Sequence, residues 1–270
     1  MFVLHDTQKL QILYKSLEKS IPESIKAYGT IFNIKNKNPF KMEVMVDAWT
    51  DYQFVITRPQ NREVKNDWDH YTNTYHIFTK APDNLEEVML RVPVFLLSPG
   101  CQEGLDEVIR KVATSKSVQI DYVKTTLFIL ELPKKHKTSS NDKMQLFKVG
   151  LVNEHWAFGK NERNLKYIER CLQDFLGFGV LGPEGQLVSW LVMGQSCELR
   201  MGYTVPKYRN QGNMLKIGYH LEKNLSQNEI PFYAHVADNN KKSLQALKNV
   251  GFKICPCGWH QWKCTPKKYC

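Results

Sequence analysis

No apolar run in this sequence approaches the roughly 20 residues that a bilayer-spanning helix needs. With 42% hydrophobic and 24% charged residues the composition is the one expected of a soluble globular chain. No zinc finger, basic zipper or aromatic-rich RNA-binding motif occurs, which leaves nucleic acid as the least supported partner. The seven cysteines (Cys101, Cys171, Cys197, Cys255, Cys257, Cys264 and Cys270) are odd in number and lack a disulfide-framework spacing. With no signal-peptide pattern, they predict a reducing, intracellular compartment. Cys255-Pro256-Cys257 has a one-residue gap where tetrahedral zinc prefers two to four, so free thiols and no metal site are expected there, even with His260, Cys264 and Cys270 close in sequence. No cysteine has an activating base beside it in sequence, which disfavours a cysteine nucleophile. The segment Met1–Ile21 has no arginine and contains Asp6 and Glu18, unlike a mitochondrial presequence. Leu10, Leu13, Leu17 and Ile21 form one stripe, and the segment is read as an amphipathic helix of the fold.

What is present is a chain of 270 residues, long enough for two ordinary domains. The net charge of +10 is unevenly placed: residues 148–270 hold 17 Lys and Arg against 9 Asp and Glu. A basic half implies an anionic partner, and a small polyanion such as a nucleotide cofactor fits. Lys134–Lys143 has almost no apolar content and reads as a linker, giving a first domain at 1–133, a linker at 134–147 and a second domain at 148–270. In the first half, alternating runs at Tyr28–Ile34, Met42–Asp47, Phe54–Thr57 and Asp69–Lys80 read as strands. Leu85–Met89 and Leu105–Thr114 read as helices, and Ser117–Leu132 as strand. In the second half, Leu151–Phe158 reads as a short helix. Asn161 caps a helix carrying Leu165, Ile168, Cys171, Leu172 and Phe175. Gly182-Pro183-Glu184-Gly185 joins two strands as a hairpin. Pro231–Val236 is a strand, Lys241–Asn249 a helix ended by Gly251, and Phe252–Ile254 and Trp259–Lys263 are two last strands. This is an α/β (α+β) order.

At the centre of that half lies Glu198–Met214. Strict alternation places Leu199, Met201, Tyr203 and Val205 on one face and Glu198, Arg200, Gly202 and Thr204 on the other. Pro206 ends the strand, a loop carries Lys207, Arg209 and Gly212, and helical spacing resumes at Met214. Free N–H groups and the dipole at a helix N-terminus, with an arginine alongside, suit a phosphate. An ordinary strand–turn–helix with a solvated basic turn has the same local pattern.

The element order resembles the GCN5-related N-acetyltransferase (GNAT) fold, whose pyrophosphate loop carries Arg-x-x-Gly-x-Gly or -Ala; here it reads Arg209-Asn210-Gln211-Gly212-Asn213-Met214. A finer likeness is to the glycine N-acyltransferase family. It is carried by Lys15-Ser16-Leu17-Glu18-Lys19-Ser20, Asn38-Pro39-Phe40, Asp69-His70-Tyr71-Thr72-Asn73-Thr74-Tyr75, Leu151-Val152-Asn153-Glu154-His155-Trp156, Phe158-Gly159-Lys160-Asn161-Glu162-Arg163 and Leu181-Gly182-Pro183-Glu184-Gly185. The resemblance runs nearly the whole length of the chain. It implies a GNAT-like mixed sheet flanked by helices in the C-terminal half and a smaller related N-terminal α/β domain. It also implies transfer of a medium- or long-chain acyl group from acyl-coenzyme A, as co-substrate, to glycine by a monomer. The compartment it suggests is the endoplasmic reticulum or the cytoplasm, with the mitochondrion as the alternative. Two segments depart from the family: Arg91–Gly100 is shorter, and Phe147-Lys148-Val149-Gly150 runs almost directly into Leu151 where the family has some twenty further residues. Either Met144–Val149 replaces the first GNAT strand or the edge of the domain is altered.

For amide formation from a thioester, Glu198 is the candidate base, since a carboxylate partly buried in a substrate channel can take a proton from the incoming ammonium. The family's catalytic glutamate matches it, and a sheet glutamate paired with Arg200 is the alternative. Backbone N–H groups near Tyr203, Thr204 and Val205 are expected to polarise the carbonyl and to receive pantetheine as an extra strand. Lys207, Arg209, Gly212 and Asn213 would hold the phosphates. Many GNAT enzymes carry a tyrosine four residues before the Gly-Phe pair; here that position is Leu247, leaving Tyr219, Tyr233 or solvent as acid. His235 reads as a packed core histidine. An acceptor such as glutamine, or a silent acyl-coenzyme A binder, are the other readings.

Overall fold

The computed structural model describes residues 1–60, 71–91, 100–102, 105–130 and 148–266. The expected linker and most of the departing segment at 91–100 lie outside the described residues. The chain divides into two compact units, Met1–Thr126 with Cys255–Cys270, and Leu127–Ile254.

The first unit contains β1 (Phe2–Leu4), α1 (Thr7–Glu18), α2 (Ile25–Asn36), β2 (Met42–Val46), β3 (Phe54–Pro59), β4 (His76–Thr79), α3 (Leu85–Arg91), β5 (Gly100–Gln102), α4 (Asp106–Ser115) and most of β6 (Val118–Ile129). The helix expected from Met1 begins later because Asp6 caps it: its side chain accepts the N–H of Lys9 at 2.8 Å. Residues ahead of the cap form β1, with Phe2 opposite Val46 and Leu4 opposite Val44 of β2. The strand expected at Tyr28–Ile34 is instead the middle of α2. Residues Ile25–Ile31 are all buried, so the segment is covered on every side and its 3.6-residue period is invisible. Leu13, Leu17 and Ile31 pack on Val44, Val46, Val55 and Phe78. Each such side chain contributes about 1.5–3 kcal/mol of transfer free energy. A second cluster joins Ile56, Ile77, Leu85, Met89, Ile109 and Trp262, whose indole N–H donates to Asp106 at 2.8 Å.

The second unit contains α5 (Val149–His155), α6 (Glu162–Asp174), β7 (Gly177–Leu181), β8 (Leu187–Met193), β9 (Glu198–Thr204), α7 (Asn213–Gln227), β10 (Tyr233–Ala237) and α8 (Lys241–Val250). One continuous strand, β11 (Lys253–Pro266), replaces the two short last strands expected, and its backbone pairs with β5 at Trp259–Gln261. Local signals act as anticipated at Asn161, which accepts the N–H of Asn164 at 2.9 Å, and at Gly251, which ends α8 with φ of 105°. The Gly182–Gly185 hairpin closes through Gly185 N–H to the Gly182 carbonyl at 3.0 Å.

Both units share one order of two helices, three antiparallel strands, a helix, a parallel strand and a helix. In the first, β2-β3-β4 are antiparallel and β5 runs parallel to β4. In the second, β7-β8-β9 are antiparallel and β10 runs parallel to β9. Among the described residues only the first has a strand ahead of its helices, β1, added outside β2. Among the described residues nothing pairs with the outer edge of β7. Val149, the last residue of the segment offered as one of two alternatives for the first strand, opens α5, and the rest of that segment except Lys148 lies outside the described residues.

Candidate active site

The site in the second unit is built around β9. A tight turn delivers it: Gly194 N–H donates to the Glu198 carbonyl at 2.8 Å, and Cys197 takes a φ of 63°. The pairing with β8 then slips by one residue. Val192 lies opposite Arg200 and Trp190 opposite Tyr203, so Leu191 faces both Met201 and Gly202. Met201 is the bulged residue, with φ of 56°. A methyl group on Gly202 would come within 2.9 Å of Leu191 Cδ1, so that side chain would have to shift to admit one.

This bulge overturns the strict alternation expected for β9. Residues opposite one another share a face, so Tyr203 and Arg200 lie on the face of Trp190 and Val192. Thr204 lies with Ser189, whose hydroxyl is 2.7 Å from its own. Glu198, two residues before Arg200, therefore shares a face with Tyr203 as well as with Arg200. On that face Tyr203 stacks on His155 of α5 at 4.4 Å, and the Arg200 guanidinium lies 5.8 Å from the Trp156 ring and 6.0 Å from Tyr167 of α6.

The pairing of β9 with β10 is limited to Glu198 opposite Tyr233 and Leu199 opposite Ala234. Among the described residues the register with β10 ends at Leu199, and the strand beyond it is suited to receive an extended ligand backbone. The donors on that edge differ from those expected. Val205 N–H is already taken by the Val188 carbonyl at 2.9 Å, so it cannot polarise a thioester. Thr204, one residue earlier, turns its amide to the opposite edge, and its carbonyl accepts Nε of Arg209 at 2.9 Å.

The loop after β9 is a 3-10 turn at Pro206–Tyr208 followed by Gly212 as N-cap of α7, with φ of 73°. A Cβ on Gly212 would meet nothing within 4 Å, so the glycine is required by its backbone angle rather than by space. The first turn of α7 carries no acidic residue, leaving its N–H groups and dipole available to an anion. The Arg209 guanidinium is 5.5 Å from the Tyr203 ring, and the Lys207 ammonium lies at the surface, 4.8 Å from the Tyr208 ring. Asn213 is buried, its side-chain amide donating to the Tyr208 carbonyl at 2.9 Å. Its side chain thus braces the loop, and its backbone N–H is what a phosphate could use.

Glu198 is buried at the head of β9. Its Oε1 is 3.5 Å from Nδ1 of His235 on β10 and 4.0 Å from Nε of Arg200, with the Glu198 and His235 side chains 9% and 4% exposed. His235, read from sequence as a core histidine, is buried but borders the carboxylate. Its place two residues beyond Tyr233, which β10 sets opposite Glu198, is not visible in sequence. The Tyr167 hydroxyl donates to Gln195 at 2.6 Å and accepts Nη1 of Arg200 at 3.2 Å. Burial pushes the phenols of Tyr167 and Tyr233 well above their ordinary values, and the Cys171 thiol up to about 12. All three keep their protons at neutral pH, so Cys171 is no nucleophile. Tyr233 donates to Ser196 at 3.0 Å, whereas Tyr219 stands exposed on α7. Cys255 and Cys257 lie with their sulfurs 3.5 Å apart, and among the described residues no group of three or more His, Cys, Asp or Glu could hold a metal ion.

The mixed sheet flanked by helices, with its bulged strand and a basic loop at a helix N-terminus, is a GNAT-like fold. Over 98% of both chains the fold matches a Drosophila protein solved by a structural genomics consortium, with a TM-score of 0.73 at 13% identity. It also matches a tandem GNAT protein from the clavulanic acid biosynthesis pathway over 98% of this chain and 97% of that one, with a TM-score of 0.51 at 11% identity. The chain belongs to the aralkyl acyl-CoA:amino acid N-acyltransferase family, whose N-terminal model matches residues 1–176 and whose C-terminal model matches residues 178–266. It is 77% identical to human glycine N-acyltransferase-like protein 2, with both chains fully covered. That alignment runs over 294 positions against 270 residues here, so at least 24 positions have no counterpart in this chain. It is 36% identical to bovine glycine N-phenylacetyltransferase over 98% of this chain and 100% of that one.

Proposed function

We propose that this protein transfers an acyl group of medium or long chain from acyl-coenzyme A to the amino group of glycine, releasing N-acylglycine and free coenzyme A. The observation that carries the reading is Glu198, a buried carboxylate on the same face of β9 as Arg200 and Tyr203, where the register with β10 begins. In the reaction Glu198 takes a proton from the glycine ammonium, and the amine nitrogen attacks the thioester carbonyl. The new C–N bond replaces the C–S bond, and the second proton shed by the nitrogen passes, directly or through solvent, to the departing coenzyme A thiolate. His235 beside Glu198 is suited to orient the carboxylate and share the proton it gains. Arg209, Lys207 and the N–H groups of Gly212 and Asn213 hold the phosphates, Tyr203 and Thr204 flank the pantetheine, and Val205 positions the turn. The names of the relatives favour glycine as acceptor; glutamine is the second reading, because nothing in the described site measures the room beyond the α-carbon.

The test is thioester consumption with glycine, glutamine and no acceptor. Glycine-dependent release of free thiol supports the proposal, glutamine-dependent release supports the second reading, and acyl-coenzyme A binding without turnover would identify a silent binder. Glu198→Gln is expected to lower kcat by about 10²- to 10⁴-fold while acyl-coenzyme A affinity changes little. Equal loss of both would remove Glu198 from the base role.

A further inference from the structure

Glycine is a zwitterion at neutral pH, and a base aimed at its ammonium leaves the carboxylate to be held by another group. The residue placed to do so is Arg200. Its Nε lies 4.0 Å from Glu198 Oε1, on the same face of the same strand. Direct hydrogen bonds of this kind run about 2.7–2.9 Å, so the two charges are near neighbours without closing on each other in a tight bidentate pair. The spacing presents opposite charges side by side, as the two ends of an amino acid require. The guanidinium is also oriented before any ligand arrives: Nη1 donates to the Tyr167 hydroxyl at 3.2 Å, and its plane lies near the rings of Trp156 and Tyr167. Tyr167 is itself held, by its hydrogen bond to Gln195. Its buried phenol keeps its proton, so it can donate to Gln195 and accept from Arg200 at once. The Arg200 side chain is 15% exposed.

We infer that Arg200 binds the α-carboxylate of the acceptor, with Tyr167 as its positioning residue, and so restricts the acceptors to α-amino carboxylates. This rests on the acyltransferase reading above. The α-carboxylate is common to glycine and glutamine, so Arg200 selects the class, and the room beyond the α-carbon selects the member.

The experiment compares glycine with glycinamide, which keeps the amine and lacks the negative charge, using octanoyl-coenzyme A and the full chain. The native protein is expected to prefer glycine. In Arg200→Gln the ratio of kcat/KM for glycine to that for glycinamide should fall roughly 10- to 100-fold, the range of one charge-assisted hydrogen-bonded pair. A thermal shift with octanoyl-coenzyme A reports whether the variant is folded. If it is not, Tyr167→Phe, which removes one partner of the guanidinium, should lower the same ratio by a smaller factor. A ratio unchanged in the folded variants would overturn the assignment even with glycine turnover intact. Absence of turnover with either amine in the native chain would overturn the acyltransferase reading, and this inference with it.

Discussion

Burial holds the thiol of Cys171 and the phenols of Tyr167 and Tyr233 protonated inside the second unit, and this sets how the molecule responds to alkali. In the unfolded chain the Cys171 thiol loses its proton near its ordinary value of 9.0, whereas in the folded chain it keeps it to about 12. Its contribution to stability is therefore fully present below pH 9 and is lost as pH rises toward 12, at about 1.4 kcal/mol per pH unit. Chemical denaturation between pH 8 and 11 should show a shallower loss in Cys171→Ala than in the native protein, and equal slopes would exclude the thiol as a source. At the same scale, His235→Leu should lower kcat and shift the pH profile of kcat/KM while leaving the KM for acyl-coenzyme A near its native value. A histidine that only fills space would change stability and leave the profile in place.

At the scale of elements, two glycines in the strand–loop–helix segment have different duties. Gly212 takes a left-handed φ with open space around it, so Gly212→Ala is expected to cost about 1–2 kcal/mol from the backbone alone. The same change should raise the KM for acyl-coenzyme A, because the cap sets the direction of the first N–H groups of α7. Gly218, one turn further along α7, lets Val250 of α8 approach closely, and an added Cβ would collide with the stiff Val250 side chain. Gly218→Ala should cost about 1–3 kcal/mol through overpacking, lowering Tm by a few degrees with kcat/KM for folded enzyme unchanged. Thermal unfolding and steady-state kinetics on both variants separate the two duties.

At the scale of the whole molecule, the chain uses one topology twice, and among the described residues the corresponding turns differ: the second copy has a basic loop at a helix N-terminus with no acidic residue in its first turn. In the first unit the turn after β4 is a 3-10 turn at Pro82–Asn84 leading into α3, a seven-residue helix with Glu86 and Glu87 in its first turn. Those carboxylates repel phosphate, and Glu86 is paired with Lys111 at 2.7 Å. Titration calorimetry should therefore find one acyl-coenzyme A site per chain. Two equivalent sites would show that the first unit binds as well.

Local chemistry made much of this legible from the residues. Asp-, Asn- and Gly-based caps and turns at Asn161, Gly182–Gly185, Asn240 and Gly251 depend on their immediate neighbours, and so does the strand–loop–helix of Glu198–Met214 in outline. The α/β order follows from them, whereas the family rests on the resemblance carried by the quoted motifs. What the sequence could not disclose depends on partners far along the chain. Ile25–Ile31 looked extended because burial on all sides erased its helical period. Phe2–Leu4 became a strand because β2 offered an edge. The bulge at Met201 exists only against β8, and it alone turns Tyr203 onto the face of Glu198 and Arg200. His235 reaches Glu198 only through the parallel pairing of β10. The residue types for the chemistry were set by sequence, but their meeting on one face was decided by register, which is a property of strand pairing and not of either strand by itself.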